Sequence, residues 1–282
     1  MWKKIMISLI VILLLAGLTA FYFYKQVTTP SNSMKDYLQT AHNPNEKTVV
    51  LLGDSITEGT ISYDYVDDLN KAYPDKEYTF VNAGHGGDLA YHVNQRLDQV
   101  IQAKPDTVIL LVGTNDILGT TTPKIKKATK KAKDLPKEPT PEWYEQQLTT
   151  IVERLKEKTD AEVAVMSPPV LTEDIGSIPY KLSKQYKEIV QEVAYEQDIE
   201  YLPLHEKQMD FYKKHRPNPT DSFHYGAKNI YQSAMKHYLL FKEWNEVSEH
   251  RGLLLTTDHI HQNARGAEMI KELVKEYLRN SE

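Results

Sequence analysis

Short, uninterrupted apolar runs alternating with helical patterns constrain this chain more than any other feature. Residues 48–52 (TVVLL) run into Gly53, 78–81 (YTFV) into Asn82-Ala83-Gly84, and 107–112 (TVILLV) into Gly113. Glu162–Met166 (EVAVM) runs into Ser167-Pro168-Pro169, and 199–202 form a short fifth run. Between them, Leu89, Val93, Leu97 and Ile101 recur every four residues, and Trp143, Leu148, Ile151, Val152 and Leu155 nearly so. That spacing lays apolar side chains along one face of a helix. A strand that is apolar on both faces must be covered on both. The alternation therefore predicts an α/β fold, a parallel sheet between helical layers. Ligands of such open sheets bind beyond the carboxyl ends of the strands, where the Gly-, Asn- and Pro-rich segments all fall.

Three stretches stand outside the alternation. Residues 5–24 form 20 positions without a charge. As a helix rising about 1.5 Å per residue they cover roughly 30 Å, enough to cross a bilayer. Lys3 and Lys4 precede the run, so the positive-inside rule keeps the N-terminus cytoplasmic and sends the rest of the chain out. Phe21, Tyr22, Phe23 and Tyr24 would then form an aromatic belt at the outer interface. The competing reading is a cleaved signal peptide, whose apolar core spans about 7–15 residues before a small-residue site; Leu18-Thr19-Ala20 is a poor one. The expected division is a signal-anchor or signal peptide over 1–26, a polar tether with Pro30 and Pro44 over 27–46, and one folded domain over 47–282. Both readings carry that domain out of the cytoplasm. Residues 118–141 hold seven Lys against Asp134 and Glu138, a local balance of +5. They read as a solvated basic loop, or more sharply as a surface for anionic polymer or lipid. Residues 204–255 read as a packed helical insertion, with 226–247 a helix whose loose stripe is Ile230, Ala234, Tyr238, Phe241 and Val247. The sharper reading there is a lid.

Composition removes several functions. With 34 Lys and Arg against 39 Asp and Glu, the net charge is −5. That is not the basic footprint of a nucleic-acid binder, and no nucleic-acid partner is expected. The chain has no Cys, which excludes disulfides, thiolate zinc sites, iron–sulfur clusters and a Cys nucleophile.

Four short blocks carry chemistry. Gly53-Asp54-Ser55 follows the first run. A serine at a strand-to-helix turn has an exposed hydroxyl and an amide near a helix N-terminus, which suits a nucleophile. The same pattern, with Glu58 three residues on, also fits a helix cap. Asn82-Ala83-Gly84-His85-Gly86-Gly87-Asp88 follows the second run and lets the backbone approach a ligand closely. It is not a dinucleotide fingerprint, because Leu89 stands where the third Gly is needed. Gly113-Thr114-Asn115-Asp116 follows the third run; a side-chain amide there can donate to developing negative charge, or the segment is a capping turn. In Asp258-His259-Ile260-His261, His261 can serve as general base with Asp258 orienting its ring. The alternative is a metal site, disfavoured because no further ligands cluster in the sequence.

Together, and in this order, the blocks LLGDSITEG, NAGHGGD, GTND and DHIHQNARG resemble the four signature blocks of the SGNH (GDSL) hydrolase family. No G-x-S-x-G elbow is present, unlike ordinary α/β-hydrolases. The resemblance covers roughly 47–282. It implies a three-layer α/β/α, flavodoxin-like fold with a parallel sheet of order 2-1-3-4-5. It maps Ser55 onto the nucleophile, Asp258 and His261 onto the other triad members, and Ser55, Gly87 and Asn115 onto the oxyanion hole. Asp54, His85 and Pro168 are candidates for the site wall. Asp221-Ser222-Phe223-His224 repeats the D-x-x-H spacing; the Asn263-Ala264-Arg265-Gly266 run and closing helix favour the later pair. The implied activity is serine ester hydrolysis without metal or cofactor. Short-chain acyl or O-acetyl esters are the expected substrates, carried on a small molecule, glycan or lipid. The alternatives are acyl transfer through the same serine and a non-catalytic anchored binder of anionic wall polymer.

Overall fold

Five strands form one sheet, described here from a computed structural model covering residues 2–40, 45–73, 77–220 and 222–280. They are β1 (Lys47–Gly53), β2 (Tyr78–Gly84), β3 (Thr107–Leu111), β4 (Glu162–Met166) and β5 (Glu200–Leu202). Every pairing is parallel, and the order is β2-β1-β3-β4-β5. Alternation along β1 divides the core. Val50 and Leu52 join a cluster with Tyr144, Leu148, Ile151 and Leu155 of the helix Pro141–Lys158 and Tyr186, Val190 and Val193 of the helix Ile178–Glu196. Val49 and Leu51 join a second with Val66 and Leu69 of the helix Tyr65–Ala72 and Ile270, Val274 and Leu278 of the closing helix Ala264–Asn280. A period of two on the strands and one near 3.6 on the helices thus produce three layers. The α/β expectation and the strand order hold.

Several elements differ from their sequence reading. The Leu89–Ile101 stripe is two short helices, Ala90–Gln95 and Leu97–Gln102, broken at Arg96 (φ −106°, ψ 12°). Arg96 leaves the helical region and its side chain turns toward the ends of β1 and β2. Residues 118–141 are not a loop. After the helix Thr114–Thr120, Thr122 caps the helix Pro123–Ala132 by accepting from the Ile125 amide at 3.2 Å. None of that second helix is buried, so its lysines stay in water. The 204–255 insertion holds the helices Leu204–His215, Lys228–Tyr238 and Trp244–Glu249. The expected single helix over 226–247 is interrupted at Phe241, which takes a left-handed φ of 54°. Ala234 and Val247 therefore pack from different helices, and Phe241 is 80% exposed.

The N-terminal helix Trp2–Thr28 is long and apolar enough to cross a membrane, and none of its residues is buried against the body. The segment read as a tether is partly docked. The Asn32 carbonyl accepts from the Asn82 amide at 2.8 Å, and Met34, first residue of the helix Met34–Gln39, is buried in the core. Residues 41–44, with Pro44, lie outside the described residues.

Candidate active site

The first block sits where β1 turns into a single helical turn, Ser55–Glu58. The cap is Asp54, whose Oδ1 accepts from the Ile56 amide at 3.0 Å. Asp54 thereby relieves Ser55 of the capping role, and the Ser55 hydroxyl is free to face elsewhere. Its Oγ lies 2.9 Å from His261 Nε2.

His261 comes from a tight loop ahead of the closing helix. Its Nδ1 lies 2.8 Å from Asp258 Oδ2, while Asp258 Oδ1 accepts from the His261 and Ile260 amides at 2.8 and 3.0 Å. Between them, His259 adopts a left-handed φ of 78°, which folds the D-x-x-H segment back on itself. All three groups, Ser55, Asp258 and His261, are buried. Burial disfavours ionisation of Asp258, but the His261 charge and the hydrogen bonds outweigh it and hold the carboxyl below its usual range. Burial likewise disfavours the imidazolium, yet attraction to Asp258, and more weakly to Asp54 and Glu58, raises the His261 pKa. Chemically, this chain can draw a proton from a hydroxyl and hold it on a stabilised imidazolium.

One residue that the sequence reading missed holds the loop. Glu173, buried, accepts from the Leu254 amide at 2.7 Å and from the Leu255 and Thr256 amides and the Thr256 hydroxyl at 2.9 Å each. It stands about eighty positions earlier in the chain, so no local pattern points to it.

The second block packs against the first. The Asn82 amide group donates to Glu58 O at 3.2 Å and its oxygen accepts from Gly84 N at 3.0 Å. Gly84 passes so close to the Ser55–Glu58 turn that a Cβ there would overlap the Glu58 nitrogen. Gly87 has φ +79°, the left-handed region that favours glycine. Lys133 arches over it, because a Cβ on Gly87 would overlap the Lys133 ammonium. Arg96 ties block to strand, donating to Asp88 at 2.7 Å and to Gly53 O at 2.9 Å. Arg96 and Lys133 were also missed; the sequence offered only a helix position and one lysine among seven.

Asn115 stands third in the third block, and its Nδ2 donates one hydrogen to Asp88 O at 2.9 Å, keeping a second for a ligand. Of the expected wall residues, Asp54 lies beneath the serine. Pro168 packs against Gly113, where a Cβ would stand 3.0 Å from its ring. His85 points mostly into solvent, with Nδ1 3.0 Å from Asp88, a hydrogen bond that raises its pKa against the opposing effect of burial. His224 is exposed and Asp221 lies outside the described residues; the imidazole that reaches Ser55 is that of His261.

Burial raises the pKa of two carboxyls under the site. Asp54 is pushed up to about 6, and Asp116, which accepts from the Ala90 amide at 3.1 Å, to about 8. Among the described residues, no group of three or more His, Asp or Glu side chains is arranged to hold a metal ion.

A search among curated proteins finds no match. Solved structures do resemble the fold. An acetyl xylan esterase superposes with a TM-score of 0.59 at 19% identity, covering 82% of this chain and 98% of its own. A lipase/acylhydrolase from Enterococcus faecalis gives 0.56 at 20% identity, covering 83% and 96%. An acetylxylan esterase from Geobacillus stearothermophilus gives 0.57 at 18% identity, covering 82% and 93%. The family model for the GDSL-like Lipase/Acylhydrolase family matches residues 51–269. That span takes in all five strand ends, the serine turn and the histidine loop, and with it the chain belongs to the GDSL-like lipase/acylhydrolase family and is an ester-cleaving hydrolase.

Proposed function

We propose that the chain hydrolyses short-chain acyl esters outside the cytoplasm, with Ser55 as nucleophile, His261 as base and Asp258 as its orienting acid. The observation that carries this is the unbroken run of contacts from Ser55 Oγ to His261 Nε2 (2.9 Å) and from His261 Nδ1 to Asp258 (2.8 Å). His261 takes the Ser55 proton as Oγ bonds to the ester carbonyl carbon. The Ser55 and Gly87 amides and the Asn115 side chain receive the oxyanion. Collapse expels the alcohol, which leaves with the proton from His261, and water assisted by His261 then releases the acid. A neutral carboxyl at Asp116 keeps further negative charge away from that oxyanion.

The acetyl esterase names of the structural neighbours support a small acyl group. Lys3 and Lys4, in the first turn of the helix Trp2–Thr28 and ahead of its apolar run, support an anchor over 1–26 with the domain over 47–282 outside. A p-nitrophenyl ester series tests the reading. Ser55→Ala and His261→Ala are expected to lose about 10⁴-fold or more in kcat/KM, with acetyl preferred over long acyl chains, and His224→Ala to stay active. Full activity in Ser55→Ala, or loss in His224→Ala with His261→Ala active, overturns it.

A further inference from the structure

Outside the N-terminal helix, most of the exposed large apolar side chains gather on one short stretch. Tyr225, Tyr231, Met235, Leu240 and Phe241 all lie on it, with Leu240 and Phe241 65% and 80% exposed. Tyr231 and Met235 stand one turn apart on the outer side of the helix Lys228–Tyr238, whose inner side buries Ser233 and Ala234. From Ser222 to Lys242 there is no Asp or Glu, while Lys228, Lys236 and Lys242 are present. A helix apolar on its outer side, rimmed by cations and aromatics, has the make-up of a surface that lies in a bilayer interface.

What covers this face is indicated by its neighbour. The helix Lys228–Tyr238 packs against Trp2–Thr28, with the rings of Phe23 and Tyr238 6.4 Å apart and nearly perpendicular. Phe23 belongs to the aromatic cluster at the outer end of the apolar run, so Tyr238 stands at the depth where a membrane meets water. The same helix grips the site. Tyr238 donates to Thr60 O at 2.7 Å, just past the serine turn, and Ser233 donates to Thr257 O at 3.0 Å, next to Asp258. The Phe223 ring lies 6.3 Å from that of His259.

We propose that the face formed by Tyr225, Tyr231, Met235, Leu240 and Phe241 seats on the anionic bilayer crossed by Trp2–Thr28, so that the Ser55 site works at the lipid surface on esters held there. This rests on the anchored-hydrolase reading above and adds to it an orientation and a source of substrate. Lys228 and Lys236 complement anionic headgroups, while Lys242 is paired with Glu246, and the apolar side chains continue the surface of the apolar helix into the interface.

Because the chain has no Cys, single labels report depth directly. Full-length Leu13→Cys, Met235→Cys, Phe241→Cys and Tyr195→Cys variants carry an environment-sensitive fluorophore. They are reconstituted in phosphatidylcholine/phosphatidylglycerol vesicles with brominated acyl chains. Quenching is expected at 13, 235 and 241 and not at 195, an exposed site at the other end of the sheet. Quenching at 13 with position 241 no different from 195 overturns the docking and leaves the anchor standing. No quenching at 13 overturns both. A Leu240→Ser/Phe241→Ser double variant is expected to lose about tenfold in cleavage of an ester embedded in those vesicles; an unchanged rate overturns the substrate source. Adding Ser55→Ala to the labelled chain leaves the quenching intact, so failure of docking and failure of the hydrolase reading are read separately.

Discussion

Glu58 sits one helical turn beyond the serine, accepts from the Thr60 hydroxyl at 3.1 Å and contributes to the field that raises the His261 pKa. In the proposed mechanism the base must be neutral to accept the Ser55 proton, so the acid limb of kcat/KM is expected to follow the His261 pKa. Removing the Glu58 charge lowers that pKa. Glu58→Gln is expected to move the rising limb to lower pH by a fraction of a unit, with the alkaline plateau retained. A pH–rate profile of both proteins checks the sign, and an upward or absent shift would show that Glu58 does not act on the imidazole.

The loop that brings Asp258 and His261 to the serine has no strand or helix of its own. It is closed by the Thr256–Gln262 bridge and pinned from outside by Glu173. Glu173→Ala leaves three amides, two of them buried, without their acceptor, which costs about 3 kcal/mol. We expect a lower melting temperature and a fall in kcat larger than any change in KM, with Glu173→Gln intermediate because it keeps one acceptor oxygen. Equal kcat in all three proteins would mean the loop holds its shape unaided. These elements also show what a sequence discloses. The strands and their Gly- or Asn-bearing ends were legible because burial on both faces forces apolar residues into unbroken runs. The four blocks were legible because close backbone approach and side-chain chemistry both leave a residue-type record. Glu173 and Arg96 were not, since each acts across a long loop closure on backbone groups that any residue supplies. The helix break at Phe241 was missed because a left-handed turn at an aromatic residue has no pattern before the chain has folded.

Beneath the site, burial raises the pKa of two carboxyls, Asp116 further than Asp54. Asp116 goes from 3.8 unfolded to about 8 folded, so the folded state binds more protons and stability falls as pH climbs through that window. The slope approaches 1.4 kcal/mol per pH unit for one proton. Asp116→Asn, neutral at every pH, is expected to flatten the decline and to melt above the parent at pH 8, while the two converge near pH 4. Thermal unfolding across that range in detergent measures it; parallel curves would place the charge elsewhere.

The docking of Asn32 and Met34 onto the sheet has a consequence for where such an enzyme can work. Were 27–46 a free linker, its twenty residues would let the body wander about 25 Å from the bilayer. Instead the apolar helix ends at Thr28 and the Asn32 carbonyl is already bonded to β2. That leaves a leash of a few residues, at most about 14 Å fully extended. With Trp2–Thr28 embedded, encounter becomes a search in two dimensions. The rate would follow how many esters each patch of membrane carries, and an ester a few molecular diameters above it would go untouched at any bulk concentration.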